Sequence, residues 1–591
     1  MKFYHALLRT AARRPKLAAE ALYWHAMGKK VRARNRLRSS LAQGASAYQD
    51  WILWHEKRGE ILAEAADEIA GWDQKPRLSV VLYNHSGESS AHFERRLAAL
   101  ETQVFAEFEL VLVQSREAVA ARTPSIGRLA PVAQRTNNPV KALRLGLQTA
   151  TGDYVLPLAE DAILAPDALY HLAKAVIAQP DASVFYGDED RITRRGKRLD
   201  PWFKPQWNSE LFLAQDYLSN ACLVRRDLAL TCVQSHPALN GAGLYALLLG
   251  ATSQAPDRAV AHVPHVIAHI DAEAPDDDEQ REARVAAVAH HLSGQPAQVQ
   301  AGPYGSVAVE WPLPDPRPLV SVIIPTRDHV ELLRTSVTGV LTATRYRNVE
   351  VIIMDNGSSD PAALSYLNRV SANPLVRVIR HDAPFNFAQL INIGAREAKG
   401  EYLCLLNNDI EVIDEKWLSA LMRQAVRPGI GAVGAKLLYD DGSIQHAGVT
   451  IGLGQAAGHA HRFQRDNEPG YHARAHLPHY VSAVTAACLL VARDKFWQVG
   501  GMDEEGFQVA FNDVDLCLKL QAAGWRNFYE PRSVLVHHES KSRRKDYHAD
   551  QISRYMRELA LLQDRWQTRQ FADPLHHPAL ERSNEAYQIA L

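Results

Sequence analysis

The feature that most constrains this chain is a pattern it carries twice. Leu78-Ser-Val-Val-Leu-Tyr-Asn84 leads through a polar, helix-compatible stretch to Glu109-Leu-Val-Leu-Val-Gln114. Val320-Ser-Val-Ile-Ile-Pro-Thr326 leads in the same way to Glu350-Val-Ile-Ile-Met-Asp355. Short, β-branched, near-continuous apolar runs flanking a helical stretch are the signature of βαβ units, whose parallel strands are buried on both faces. The match continues: Thr151-Gly-Asp-Tyr-Val-Leu-Pro-Leu-Ala-Glu-Asp161 parallels Lys399-Gly-Glu-Tyr-Leu-Cys-Leu-Leu-Asn-Asn-Asp409. Each ends a third strand on acidic residues, and helices are expected next over 166–176 and 415–425. Repetition at this scale predicts two copies of one α/β domain with a mostly parallel, Rossmann-like sheet.

The rest of the chain frames these copies. A basic helical extension is expected over 1–75, the first copy over 76–270, a connector over 271–317, the second copy over 318–545 and a helical tail over 546–591. The connector is marked by the acidic run Asp276–Glu279 and the proline-rich 312–318, with a helix between them over 280–291. Among 591 residues, 66 Lys and Arg against 67 Asp and Glu leave a net charge of -1, so global charge points to no nucleic-acid partner. Five cysteines without a CxxC pair fit neither a disulfide framework nor a zinc knuckle, and suit a reducing cytoplasm. No signal peptide is expected, and the apolar stretch 481–492 is too short to span a bilayer. Residues 1–42, with eleven Lys and Arg against Glu20 and with interleaved Leu22, Tyr23 and Trp24, suit either a solvated helix or a peripheral contact with an anionic inner-membrane surface.

In the second copy, polar groups stand where strands end, and ligands of open α/β sheets bind beyond the carboxyl ends of strands. Pro325, Thr326 and Asp328 follow the first strand; Asp355-Asn-Gly-Ser-Ser-Asp360 follows the second; Asn407, Asn408 and Asp409 follow the third. Each alone reads as a polar turn, but three on one edge make a site. An acid there suits Mg²⁺ or Mn²⁺, which favour oxygen ligands and bridge phosphates. Asp513 and Asp515 open an apolar helical pattern, either as helix N-terminal charges or with Asp513 as a general base. His537 and His538 follow a short strand and offer an imidazole ligand or simply surface histidines; Lys541, Arg543 and Arg544 offer charge to a diphosphate.

In order, Val322–Thr326, Asp355–Asp360, Phe385-Asn-Phe387, Leu406–Asp409, Gly500-Gly-Met-Asp503, Phe511-Asn-Asp-Val-Asp515 and His537-His-Glu-Ser540 resemble the motifs of glycosyltransferase family 2, the inverting enzymes of GT-A fold. The subgroup they resemble comprises the bacterial rhamnosyltransferase-like enzymes of O-antigen and other cell-surface polysaccharides. The resemblance implies two tandem GT-A domains, a nucleotide-sugar donor, a glycan or lipid-linked glycan acceptor and a divalent metal, Mn or Mg. It implies that Pro325, Thr326, Asp328, Asp355, Asn386, Asn392, Asn407 and Asn408 form the donor site, and that His446, Asp503, Asn512 and Asp515 face acceptor or donor sugar. Asp409 and His537 would bind the metal and Asp513 would be the base. Asn407 replaces the first acid of the family's DxD motif, which weakens the case for a metal requirement.

The first copy lacks this chemistry. Gln114 stands for Asp355, Arg144 for Asn392, and Gly241-Ala-Gly-Leu-Tyr-Ala-Leu-Leu-Leu249 for the helix that carries Asp513. A scaffold or glycan-binding role is expected for it. The rival for the whole chain is a non-catalytic glycan-binding protein made of decayed transferase domains. A nucleotidyltransferase would want a glycine-rich loop after the first strand, which Pro325-Thr-Arg-Asp-His329 does not provide.

Overall fold

In a computed structural model, residues 11, 15–30, 33, 45–84, 89–116, 125–126, 128–132, 134–235, 243–273, 278–539, 549–570 and 573–590 are described. Ser540, Lys541, Arg543 and Arg544 of the sequence reading lie outside them, as does most of 1–42. The chain forms two compact units. The N-terminal unit is Ala42–Val309 with His577–Leu580 and Ile589–Leu591; the C-terminal unit is Met1–Leu41, Glu310–His576 and Glu581–Gln588.

The N-terminal unit holds a nine-stranded sheet. Its strands β1 (Leu78–Asn84), β2 (Phe108–Gln114), β3 (Tyr154–Pro157), β4 (Ala162–Leu164), β5 (Val184–Ile192), β6 (Cys222–Arg225) and β7 (Val260–Asp271) lie in the order β2-β1-β3-β6-β5-β7-β4, with Leu129–Pro131 outside β2. The C-terminal unit holds a ten-stranded sheet. Its β8 (Val320–Thr326), β9 (Val349–Asp355), β10 (Tyr402–Leu406), β11 (Ile410–Val412), β12 (Ile430–Leu438), β13 (Cys488–Ala492) and β14 (Arg526–His537) take the same order, β9-β8-β10-β13-β12-β14-β11, with Val376–Arg380 outside β9. The tandem GT-A arrangement that the resemblance implies is the arrangement found. In both sheets the one inserted antiparallel strand, β6 or β13, interrupts an otherwise parallel centre.

Every residue of β1 and of β8 is buried, as strands covered by helices on both faces must be. The expected third-strand helices are present as Ala168–Ala178 and Trp417–Ala425, and the connector helix as Asp278–His291. Both units also share a buried polar clasp. Ser79 Oγ donates to Glu109 (2.6 Å), which accepts the Thr151 N–H, while the Gly152 N–H donates to Ser79 (2.9 Å). Ser321, Glu350, Lys399 and Gly400 repeat it with 2.6, 2.6 and 2.8 Å bonds. The clasp satisfies a buried carboxylate while pinning the entry to β3 and β10 against β1 and β8.

Three helices matter below, besides α1 (Pro15–Ala26) in the basic extension: α2 (Phe387–Glu397), α3 (Asn512–Ala522) and α4 (Ala549–Arg565). Among the described residues, no helix is long and apolar enough to cross a membrane.

Candidate active site

The in-register parallel pairing of β8 with β9 sets Thr326 beside Asp355 at the carboxyl edge of the sheet. Asp355 is buried; it accepts the Ser358 N–H (2.9 Å) and pairs with Arg380 (3.1 Å), whose side chain is 47% exposed. Pro325 is buried beneath Thr326. Asp328 adopts a left-handed conformation (φ 55°) and accepts the N–H groups of Ser359 and Asp360, both at 2.8 Å. These bonds, Asp360's foremost, hold its carboxyl below the usual range. The two strand ends are thereby tied together. Asn408 joins them, donating to the Thr326 hydroxyl (3.0 Å).

Pairing of β11 with β14 sets Ile410 opposite His537 and so brings Asp409 to His537. The His537 Nε2 lies 3.1 Å from Asp409 Oδ1, a buried oxygen with no other hydrogen-bond partner among the described residues. Burial would raise the Asp409 pKa, but the hydrogen bond and charge of His537 outweigh it and hold the carboxyl below its usual range. Two ligand atoms about 2.1 Å from one divalent ion at a near-right angle stand about 3 Å apart, so the spacing suits an ion. Asn407 lies 3.3 Å from the same Nε2; its amide oxygen and nitrogen exchange on a half-turn, which turns the position lacking the DxD acid into an oxygen ligand. The Gln445 side-chain amide lies 2.8 Å from His537 Nδ1; turned by half, it presents its oxygen, buried and unbonded as placed, to the Nδ1 proton, which is the bond a metal-bound imidazole makes from its outer nitrogen. His538 does not face this pair: it bridges Glu411 (2.9 Å) and Asp440.

Asp513 sits in the first turn of α3. Its carboxylate accepts the N–H groups of Ala486 (3.0 Å) and Val514 (2.9 Å) and bonds the Thr485 side chain. Burial dominates over these bonds and raises its pKa above 3.8. A carboxyl held by backbone dipoles and a hydroxyl, with no cation among its partners in the described residues, keeps basicity that an ion pair would remove.

Other residues assigned to substrate from the sequence are placed as braces. Asn386 caps α2, accepting the Gln389 N–H, and donates to the Glu504 carbonyl (2.8 Å). Asn392 is buried and grips the loop after β13 through Met502 N and O and the Glu504 carboxylate. Asn512 donates to the Val509 carbonyl. His446, fully buried, bonds the Ala435 carbonyl and accepts the Thr485 N–H; burial depresses its pKa to about 3. Asp515, also fully buried, pairs with Arg565 (2.9 Å) and Lys519 (3.3 Å) and accepts from Trp566. Asp503 pairs with the same Arg565 (2.8 Å). Arg380, Gln445, Thr485 and Glu504, which complete these contacts, carry no motif of their own.

The N-terminal unit shows why its copy differs. Pairing of β4 with β7 sets Ala162 opposite Ile270, the register that sets Ile410 opposite His537, so Asp161 faces an isoleucine position instead of an imidazole. Its own acid–imidazole group lies elsewhere: Asp188, His262 and His577 bring their ligand atoms within 4.8 Å. His577 Nδ1 accepts the Ala579 N–H (2.9 Å), which leaves the ring proton on Nε2, 2.8 Å from Asp188. A metal-bound imidazole instead donates from its outer nitrogen, so this group is a buried carboxylate held between two imidazoles. Burial alone would raise the Asp188 pKa, but His577 and His262 hold it well below the carboxylate range.

Comparison with known proteins agrees with both copies. The family described as Glycosyl transferase family 2 matches residues 97–231 and 321–498, together more than half of the chain. An uncharacterized protein of Sinorhizobium fredii is 34% identical over 99% of this chain and 67% of its own length. An O-antigen biosynthesis protein of Myxococcus xanthus is 33% identical over 84% of this chain, which spans only 40% of that protein. An N-acetylglucosaminyl-diphospho-decaprenol L-rhamnosyltransferase of Mycobacterium tuberculosis is 27% identical over 39% of this chain and 79% of its own length. With one strand order repeated in both units and each copy matched in sequence, this chain belongs to glycosyl transferase family 2 and is a glycosyltransferase.

Proposed function

We propose that the C-terminal unit transfers a hexosyl group, with inversion, from a nucleotide sugar to a hydroxyl of a glycan or lipid-linked glycan during cell-surface polysaccharide synthesis of the O-antigen kind. The observation that carries this reading is Asp513: a half-buried carboxylate of raised pKa, held by two N–H bonds and, among the described residues, with no cation among its hydrogen-bond partners. Asp513 takes the proton of the acceptor hydroxyl while that oxygen attacks the anomeric carbon and the nucleoside diphosphate departs from the opposite face. Thr326, Asp328 and Asp355 hold the nucleoside, with Asn408 fixing Thr326. Asp409 and His537, with Asn407 turned to present its oxygen, are the residues that would hold Mn²⁺ or Mg²⁺. Such an ion supplies positive charge to the diphosphate leaving group. Asn386, Asn392, Asn512, Asp515 and His446 are assigned to bracing, and Asp503 to the loop beside the base.

A rhamnosyl donor is the choice supported by the Mycobacterium relative. Contact with an anionic membrane through 1–42 is supported by α1, which exposes Leu22, Tyr23 and, just beyond its end, Met27 near Lys16, Lys29 and Lys30. The deciding experiment offers a panel of nucleotide sugars with a glycolipid acceptor and Mn²⁺ or Mg²⁺, and reads nucleoside diphosphate release. One donor turned over by the wild type and not by Asp513→Asn is expected. A folded protein that turns over none would favour the glycan-binding alternative.

A further inference from the structure

The segment bearing the proposed base is held in an uncommon shape. Phe511, the residue before α3, has φ 61° and ψ 8°, a left-handed conformation that a bulky side chain rarely adopts. Such a conformation persists only where its surroundings fix it. Those surroundings come from α4, far along the sequence. The Glu558 carboxylate accepts the N–H groups of Val509 (3.1 Å) and Ala510 (2.8 Å), the two residues before Phe511, and is itself 3% exposed. The Tyr555 ring packs against the Phe511 ring at 5.6 Å. At the end of α4, Arg565 spans Asp503 and Asp515 at 2.8 and 2.9 Å and lies over the Phe507 ring, and Trp566 Nε1 donates to Asp515 (2.9 Å).

These contacts straddle Asp513 on both sides in sequence, at 503–511 and at 515. None of them is made to the Asp513 carboxylate, whose hydrogen bonds come from Ala486, Val514 and Thr485. We infer that α4 is the positioning element of the active site: Glu558 and Arg565 hold the 503–515 segment so that Asp513 is aimed at the acceptor hydroxyl. The inference rests on the reading of Asp513 as base. It adds that the aim of that base is set by a helix outside the family-matched residues 321–498. Two carboxylate–amide bonds on consecutive residues suit the task, because they fix the direction of the backbone entering the left-handed turn and not merely its depth.

The test uses the full chain with Glu558→Gln and Arg565→Lys, both of which keep side-chain volume. Three quantities are read: kcat and KM for transfer, donor affinity by calorimetry, and amide hydrogen exchange. The expected result is a kcat lowered about 10- to 100-fold, as misplacement of a reacting group produces, with donor affinity within about twofold of wild type. Exchange should quicken at 507–516 and stay unchanged in β8 to β10. Two outcomes overturn the inference: exchange at 507–516 equal to wild type, or quickened exchange spread through the whole unit with donor affinity lost, which is the mark of a merely structural role. A wild type that turns over no donor would defeat the reading of the base, while the exchange result would still decide whether α4 holds the segment.

Discussion

Asp513 and His446 lie in one hydrogen-bonded neighbourhood, joined through Thr485, and burial acts on them in opposite directions. The acid is raised toward its neutral form and the imidazole is depressed toward its own. For Asp513 this has a sign that can be tested. A folded pKa above the unfolded 3.8 means the carboxyl favours folding only while protonated, below 3.8, and that contribution is lost as pH rises through the folded value. At neutral pH the ionised group therefore opposes folding, and Asp513→Asn should melt at the same or a higher temperature while transfer falls about 10²- to 10⁴-fold. A calorimetric scan paired with a transfer assay checks it; a variant that melts markedly lower would show that the charge is not the strained feature described. The acid limb of the wild-type kcat profile should have its midpoint above 3.8, because the base must be ionised. The pairing of Asp409 with His537 was legible in the sequence as two candidate ligands, but the role of Gln445 was not: a glutamine in the middle of the three-residue strand Ile444–His446 gives no signal of whose ring it supports.

At the scale of elements, the clasp that pins β10 against β8 shows why a glycine stands at the head of the third strand. A Cβ on Gly400 would lie 2.6 Å from Ser321 Oγ and 2.7 Å from the Leu319 carbonyl, and Gly152 meets the same two kinds of atom at 2.7 Å in the other unit. One obstacle is backbone and cannot turn aside. Gly400→Ala should thus lower stability by about 2–4 kcal/mol, the range of substitutions that break buried networks or overpack a core. Gly59, in the helix Arg58–Ala70, has open space around its Cβ position, so Gly59→Ala should raise stability by about 0.5–1 kcal/mol. Urea titration of the two variants beside wild type would reveal the opposite signs; a neutral Gly400→Ala would mean the clasp yields. The letters of this clasp, Ser, Glu and Gly, are identical in both copies and were visible from the start. Their meeting was not, because it joins positions 29 and 79 residues apart in the C-terminal unit.

For the molecule as a whole, the C-terminal unit holds several imidazoles wholly or largely withdrawn from solvent. Burial depresses His446 and His479 to about 3 and His459 to about 4, from an ordinary 6.5. Below 6.5 the unfolded chain takes up protons that the folded one refuses, so stability present above that pH is lost as pH falls toward 3–4. Each such histidine contributes about 1.4 kcal/mol per pH unit across that window. The urea midpoint should accordingly drop by several kcal/mol equivalent between pH 7.5 and 5.5, well above the range in which ordinary carboxylates titrate. A midpoint constant over that interval would contradict the enclosure of these rings.

The architecture is legible in the chain's local composition: two copies of one α/β sheet, and the edge on which polar groups gather. Buried parallel strands must be uniformly apolar and strand ends must be polar, so both facts are written there. The partners that those polar residues take are set by long-range packing instead. Asn386, Asn392 and Asp515 stand in the motifs beside Asp513 and Asp409, yet their side chains point into loops and helices. Whether a carboxylate or an amide faces a cleft or a brace depends on partners such as Arg565 and Glu504, and hydrogen bonds between residues that distant leave no period and no spacing to read.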